Sequence, residues 1–187
     1  MSRVLVLSSS IRKPSNSEAL CQSLARGVRD AGGEAVVLRI GDMNIGPCRG
    51  CDYCRTHGNV CSVKDDMELV HKEMCMADAL VLATPVYFWN VSSQLKAVWD
   101  RTFALHPYEK LKRIKKSALL TTAGVHREHT LDAVVAGYKG YIWCIGGYCD
   151  RIESVGIICI DRVRDPSDIA DHPGLREAYE LGRKIVS

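Results

Sequence analysis

The chain has 187 residues, 47% hydrophobic, 25% charged and 6% aromatic, with a formal net charge of +3. That length buries one ordinary core and is short for two, and the apolar-to-charged balance excludes general disorder. A charge this small, with the single short basic run "KLKRIKK" at Lys110–Lys116, excludes a protein that grips nucleic acid through a broad basic face.

The first residues, "MSRVLVLSSS", hold only four consecutive apolar positions, too few for a secretory leader or a membrane span. A cytoplasmic protein with neither a membrane nor a nucleic-acid partner is expected, folded as a single domain over residues 1–187. Short β-branched runs then alternate with stretches of helical period. In chain order they are strand 3–7, helix 16–32, strand 34–40, a cysteine-rich loop at 47–64 and helix 66–78. Strand 79–85, helix 92–105, strand 117–124, helix 131–147, strand 151–160 and helix 175–186 follow, the last two joined by the polar connection "DRVRDPSDIADHPG". The strands read as nearly continuous apolar runs, as expected when helices cover both faces of a parallel sheet, and right-handed crossovers then give a three-layer α/β sandwich. In such sheets ligands gather beyond the carboxyl ends of the strands, which directs attention to the loops after Leu7, Ala83 and Thr121.

The first of these loops, "SSSIRKPSNSEAL", crowds hydroxyl and amide side chains at the entrance to a helix. Ser15, Asn16 and Ser17 are each able to cap that helix, whose first-turn N–H groups and dipole favour an anion. The hydroxyls of Ser10, Ser15 and Ser17 complete the donor set. The loop contains no glycine, so it has neither the G-x-G-x-x-G of a dinucleotide site nor the G-K-[ST] of a P-loop. The first cysteine, Cys21, lies inside the helix, which removes a phosphatase loop, and Ser8 and Thr84 stand where a response regulator needs acids. Two readings remain: a phosphomonoester that is held and not transferred, or a serine-rich cap with no ligand.

The third strand ends in "TPVYFWN", where Tyr87, Phe88 and Trp89 are consecutive. Such a loop suits the wall of a flat heterocycle whose polar edge is read by backbone groups; the alternative is packing on the sheet or at a subunit interface. The fourth strand ends in "TTAGVH", where Gly124 permits close backbone approach to a ring.

The arrangement S-x-R-x-x-S-N-S from Ser10 to Ser17, the loop "ATPVYF" and the helix "LKAVWDR" together resemble the flavodoxin-like NAD(P)H-dependent FMN reductases. The segment C-x2-C-x2-C-x6-C followed by "DDM" resembles the iron–sulfur flavoprotein branch of that family, and the likeness extends to "AYELGRKI" in the last helix. The resemblance implies a flavodoxin-like three-layer sandwich with a five-stranded parallel sheet in the order 2-1-3-4-5. It implies that Ser10, Arg12, Ser15, Asn16 and Ser17 bind the FMN phosphate. Pro85, Val86, Tyr87, Phe88, Trp89 and Asn90 would contact the ribityl chain and ring, and Thr122, Ala123 and Gly124 the pyrimidine edge. Ser9 stands where the family often has Gly, which bears on the path of the backbone there.

Nine cysteines is an odd number, and the expected cytoplasmic setting keeps thiols reduced, so a disulfide framework is not expected. Cys21, Cys75, Cys144, Cys149 and Cys159 sit in or beside apolar patterns and read as small core residues. Cys48, Cys51, Cys54 and Cys61 fall within fourteen residues. Zinc usually takes two pairs with a longer spacer, whereas three ligands this close resemble a ferredoxin wrap, with Cys61 near enough to give the same 4Fe–4S cluster a fourth thiolate. Gly50 and Gly58 let the backbone fold tightly, and Arg49 and Arg55 offset charge. A reduced metal-free loop, zinc and a redox disulfide remain the alternatives. "HREH", from His126 to His129, has ligand-like spacing but reads as an exposed loop pair.

The expected function is therefore electron transfer between FMN and a 4Fe–4S cluster, with NAD(P)H as co-substrate and a small-molecule or protein electron donor or acceptor. No side chain is assigned as catalytic, because the flavin carries the chemistry. A cluster-free NAD(P)H-dependent FMN or quinone reductase is the alternative, and a metal-stabilised interaction module a third reading. The resemblance also implies a homodimer or homotetramer.

Overall fold

The computed structural model describes residues 1–187, the side chain of Ser167 excepted. Five strands, β1 (Arg3–Ser8), β2 (Glu34–Arg39), β3 (Ala79–Pro85), β4 (Lys116–Thr122) and β5 (Glu153–Ile160), form one sheet in the order β2-β1-β3-β4-β5. Every pairing is parallel, so the expected flavodoxin-like topology is present. Helices α1 (Asn16–Asp30), α2 (Tyr53–Thr56), α3 (Met67–Met76), α4 (Ser93–Arg101), α5 (Asp132–Ile145) and α6 (Gly174–Val186) connect and cover the strands. No helix is long and apolar enough to cross a membrane among the described residues.

Alternate residues of the strands face two separate cores. Leu5, Leu7, Leu80, Leu82 and Leu119 pack with Met67 and Met74 of α3, Leu95 and Val98 of α4, and Tyr138 and Ile142 of α5. Val4, Val6, Val81 and Leu120 pack with Leu20, Leu24 and Val28 of α1 and with Ala178, Leu181 and Ile185 of α6. Burial on both faces is why the strands carry unbroken apolar runs.

Several expectations change in detail. The helix expected over 92–105 is α-helical only to Arg101 and tightens into a 3-10 turn over Thr102–Leu105. The cysteine loop contains the single-turn helix α2, which its polar, glycine-flanked sequence does not signal. Of the five cysteines read as core, only Cys21 is buried; Cys75 and Cys144 are half-buried, and Cys149 and Cys159 are exposed. Cys149 follows the α5 terminus in a turn, and Cys159 lies on β5, which has a neighbour on one side only.

Helices α1 and α6 approach to backbone contact. A Cβ added at Gly182 would stand 2.1 Å from the Leu24 carbonyl oxygen, and one at Gly27 would stand 2.0 Å from that of Tyr179. Helix propensity alone would favour alanine by about 1 kcal/mol, but overpacking against fixed backbone costs about 1–3 kcal/mol and reverses the sign. Gly182→Ala is therefore expected to lower the urea midpoint with an unchanged slope; an unchanged or raised midpoint would refute this packing.

Candidate cofactor sites

Strand β1 lies between β2 and β3, so the chain leaves its carboxyl end at the point where the strand order reverses. Ser8, Ser9 and Ser10 are buried there. Ser15 caps α1, its hydroxyl accepting from Glu18 N at 3.3 Å and lying 3.2 Å from the Ser17 hydroxyl. The N–H groups of Asn16 and Ser17 open the helix and have no carbonyl four residues back within it.

A cleft of about 290 Å³ opens at this edge. Ser10, Arg12, Ser15 and Asn16 line one side of it, and Pro85, Val86 and Tyr87 another. Thr122, Gly124 and Val125 come from the end of β4, and Val163 and Arg164 from the connection between β5 and α6. That last wall is pinned to the first loop: Asn16 Nδ2 donates to the carbonyls of Val163 at 3.0 Å and Asp165 at 3.1 Å, and Arg12 Nη1 donates to that of Arg164 at 2.9 Å. Sequence reasoning missed Val125, Val163 and Arg164; the available signal was the polar connection that begins at the end of β5.

The other expected residues of this group stand off the cleft wall. Ser17 is buried behind Ser15, and Ala123 is buried with its N–H donating to the Ile160 carbonyl at 2.8 Å. Tyr87 and Asn90 exchange backbone hydrogen bonds at 2.9 and 3.0 Å, which places Phe88 (φ 47°) and Trp89 (φ 60°) at the tip of a two-residue turn. Such a turn needs positive φ at both central positions and normally holds Asn-Gly; here two aromatic residues carry strain of about 1–3 kcal/mol each. The tip directs them outward, Phe88 being 102% and Trp89 45% exposed. The three aromatics thus do not form one wall, and Tyr87 alone lines the cleft. Asn90 turns its side-chain oxygen back to accept from Val91 N at 2.8 Å.

The cleft's chemistry fits a phosphomonoester bearing a polyol. Hydroxyls, first-turn N–H groups and the Arg12 guanidinium supply donors and positive charge for a phosphate. Asn16 Oδ1 is buried without a protein partner, an acceptor suited to a ribityl hydroxyl. The serine at position 9 proves to be a tie. Its hydroxyl donates to the Ala83 carbonyl at 3.0 Å and accepts from the Ser92 hydroxyl at 2.8 Å, while Ser92 N donates to Thr84 Oγ1 at 3.0 Å. Ser92 also caps α4 through Leu95 N, so the loop after β1, β3 and α4 are tied together. Beneath the loop, Arg39 pairs with Glu18 at 2.8 Å and Asp42 at 3.0 Å.

A second cavity, of about 50 Å³, is lined by Cys48, Cys51, Cys54 and Cys61 together with Val63, Phe103 and Ala104. The structure thus brings all four expected metal-ligand cysteines to one place. Their sulfurs stand around the wall: no group of three His, Cys, Asp or Glu side chains is close enough to share a single ion among the described residues. Positive φ at Asp52, Gly50 and Gly58 makes the reversals that gather the cysteines. The Cys51 thiol is held below its ordinary pKa by the Ser62 hydroxyl, 3.3 Å away, and by the Tyr53 N–H; burial pushes Cys54 up. Arg49 borders the cavity, whereas Arg55 reaches no closer than 3.9 Å to Asp52 and is exposed.

Below the cavity lies a buried ion pair that the sequence reading did not single out. Arg101, at the end of α4, meets Asp65 at 2.5 Å, with side-chain exposures of 1% and 5%. Burial acts to raise the Asp65 pKa, but Arg101 and the N–H groups of Gly46 and Met67 outweigh it and hold the carboxyl below the usual range. His126 and His129 are exposed and bond separately to Asp161 and Asp132, each at 2.6 Å.

A doubly wound parallel sheet with an anion cradle at its switch point defines a mononucleotide-binding protein of flavodoxin-like fold. The profile of the NADPH-dependent FMN reductase family matches residues 2–137; the chain belongs to that family, among relatives named iron–sulfur flavoproteins, and is an oxidoreductase that uses FMN. An iron–sulfur flavoprotein of Methanocaldococcus jannaschii is 28% identical over 187 residues, covering 98% of this chain and 95% of that one. One of Methanosarcina thermophila is 30% identical over 135 residues, covering 71% of this chain and 70% of that one. Among solved structures, an NAD(P)H:quinone oxidoreductase from Methanothermobacter marburgensis superposes with a TM-score of 0.73 at 21% identity, over 100% of this chain and 98% of that one.

Gly41, in the turn after β2, supports the loop after β1 from outside, since a Cβ there would stand 2.3 Å from the Ser10 carbonyl oxygen. Gly41→Ala is expected to displace the loop and weaken FMN by roughly tenfold, the equivalent of about 1.4 kcal/mol, with the circular-dichroism spectrum unchanged. Calorimetric titration giving wild-type affinity would contradict the role of this contact.

Proposed function

We propose that the chain is an electron-transfer flavoprotein that holds FMN in the cleft and one 4Fe–4S cluster on Cys48, Cys51, Cys54 and Cys61. The observation that carries this reading is the convergence of those four cysteines on one largely apolar cavity with a buried arginine beneath it. Four cysteines lining one cavity match the ligand count of a cubane, in which each thiolate meets its own iron.

Ser10, Arg12, Ser15 and the opening N–H groups of α1 would hold the phosphate. Asn16 would orient the ribityl chain, and Pro85, Val86 and Tyr87 with Thr122 and Gly124 would border the ring. Bound there, FMN would accept electron pairs from NAD(P)H, and the cluster would relay electrons singly to or from a small-molecule or protein partner. The chain's own part is to fix the phosphate, limit water at the ring through Val86 and Tyr87, and space the two centres. Helix α4 begins at the Ser92 tie beside the cleft and ends at Arg101 beneath the cysteines. Its nine residues span about 13 Å at 1.5 Å per residue. A homodimer or homotetramer is supported by Trp143 and Tyr148, which stay 47% and 52% exposed near the end of α5.

Two experiments test this reading: the first probes the phosphate site, which the cluster-free NAD(P)H-dependent FMN or quinone reductase would share, and the second separates the two. Ser10→Ala with Ser15→Ala, the two serines that line the cleft, is expected to weaken FMN at least tenfold and riboflavin hardly at all, because each charge-assisted bond, about 1.5–3 kcal/mol, exists only with the phosphate. Equal losses for both ligands would move the phosphate elsewhere. Anaerobically reconstituted protein should hold about four iron and four sulfide per chain, as a cubane on four thiolates requires, and Cys54→Ala should lose them while keeping FMN. FMN without iron in the wild-type chain would establish the cluster-free reductase.

A further inference from the structure

Arg101 is the only fully buried basic side chain among the described residues. Removing a guanidinium from water carries a large desolvation penalty, and one carboxylate seldom offsets it unless the remaining donors are satisfied. Here the compensation is incomplete. Asp65 shares its carboxylate among Arg101 Nη1 at 2.5 Å, Gly46 N at 2.9 Å and Met67 N at 3.1 Å. Arg101 Nε is buried with no acceptor. Nη2 is turned from the carboxylate to the Val63 carbonyl at 3.2 Å and to Cys61 Sγ at 3.5 Å.

A neutral thiol is a poor acceptor, and a thiolate bound to a cluster is a good one. The one buried cation among the described residues thus lies on the wall of the four-cysteine cavity, with an N–H aimed at the Cys61 sulfur alone. Arg49 and Arg55, assigned this role on sequence grounds, are exposed. A hydrogen bond to a ligand sulfur and a nearby positive charge both favour the more negative, reduced form of an iron–sulfur centre, and so raise its potential.

We infer that Arg101 is the positioning residue of the cysteine site: it fixes the Cys61 sulfur by an N–H bond and raises the potential at which the cluster takes up an electron. This inference rests on the cluster reading above. Asp65 in turn holds the guanidinium, and through Gly46 and Met67 it ties the two ends of the cysteine segment to α3.

The test uses the full chain, reconstituted anaerobically with iron and sulfide, in three forms: wild type, Arg101→Lys, and Asp65→Asn with Arg101→Gln. The paired variant avoids leaving a buried carboxylate without its partner. Iron content, FMN affinity, the thermal unfolding midpoint and the cluster potential from an EPR-monitored redox titration are measured on each. The paired variant should hold iron with its potential moved negative by at least a tenfold change in the one-electron equilibrium, about 59 mV. Arg101→Lys should move it in the same direction by less, since the charge stays and the bond to sulfur is lost. A wild-type chain that takes up no iron would overturn the cluster reading and this inference with it. Iron-loaded variants with an unmoved potential would overturn the inference alone and leave Arg101 as a brace for the loop. Should the variants lose iron, wild-type FMN affinity and unfolding midpoint would support the assignment, whereas iron, FMN and fold lost together would overturn it.

Discussion

Strand β1 bonds to β2 on one side and to β3 on the other, and the crossovers that lead to these neighbours pass over opposite faces of the sheet. The backbone groups at its carboxyl end are therefore left facing a crevice that no helix fills. The other features of the cleft follow from this constraint. Ser8 to Ser10 lie buried at its edge, α1 starts beside them, and the ends of β3 and β4 arrive there because β3 is in fixed register with β1 and β4 with β3. Ser9 and Ser92 then tie the loops after β1 and β3 to each other through their hydroxyls.

The cysteine segment depends on a different kind of force. Residues 47–64 have few apolar side chains and little regular structure, and backbone reversals alone do not hold such a segment in place. Its anchors are electrostatic: Arg101 reaches the carbonyls of Gly46 and Val63 from one guanidinium, at 3.2 Å each. A buried ion pair is a weak source of net stability, but breaking one by removing a single partner is costly. Its value here is in geometry, since the pair sets the end of α4 against both ends of the loop. Because α4 starts at the Ser92 tie, one short helix fixes the relation between the phosphate cradle and the cysteines.

The sheet was legible because parallel strands buried on both faces must be apolar at every position, a pattern that "VLVL" and "LVLA" carry without ambiguity. The cap at Ser15 was legible for the same local reason: few residue types satisfy the open N–H groups of a first turn. What escaped was set by tertiary contact. Arg101 sits in a helical pattern as an ordinary polar residue, and nothing local tells that it is buried. Gly41 is short of space only because the Ser10 carbonyl passes over it. Phe88 and Trp89 have the composition of a ring wall, yet the hydrogen-bonded turn between Tyr87 and Asn90 points them outward. Cys149 and Cys159 lie in apolar stretches but fall at a helix end and on an edge strand, where the core stops.

Joined by α4, the two cavities make one proposed account, in which FMN in the cleft would exchange electrons with a cluster in the cysteine pocket. Low-temperature EPR of the anaerobic, iron-loaded chain after reduction by NADPH, with and without bound FMN, tests this most directly. The account predicts the signal of a reduced 4Fe–4S cluster when FMN is present and none when it has been removed. A cluster signal independent of FMN, or an FMN-loaded chain that shows no cluster signal even with dithionite, would contradict it.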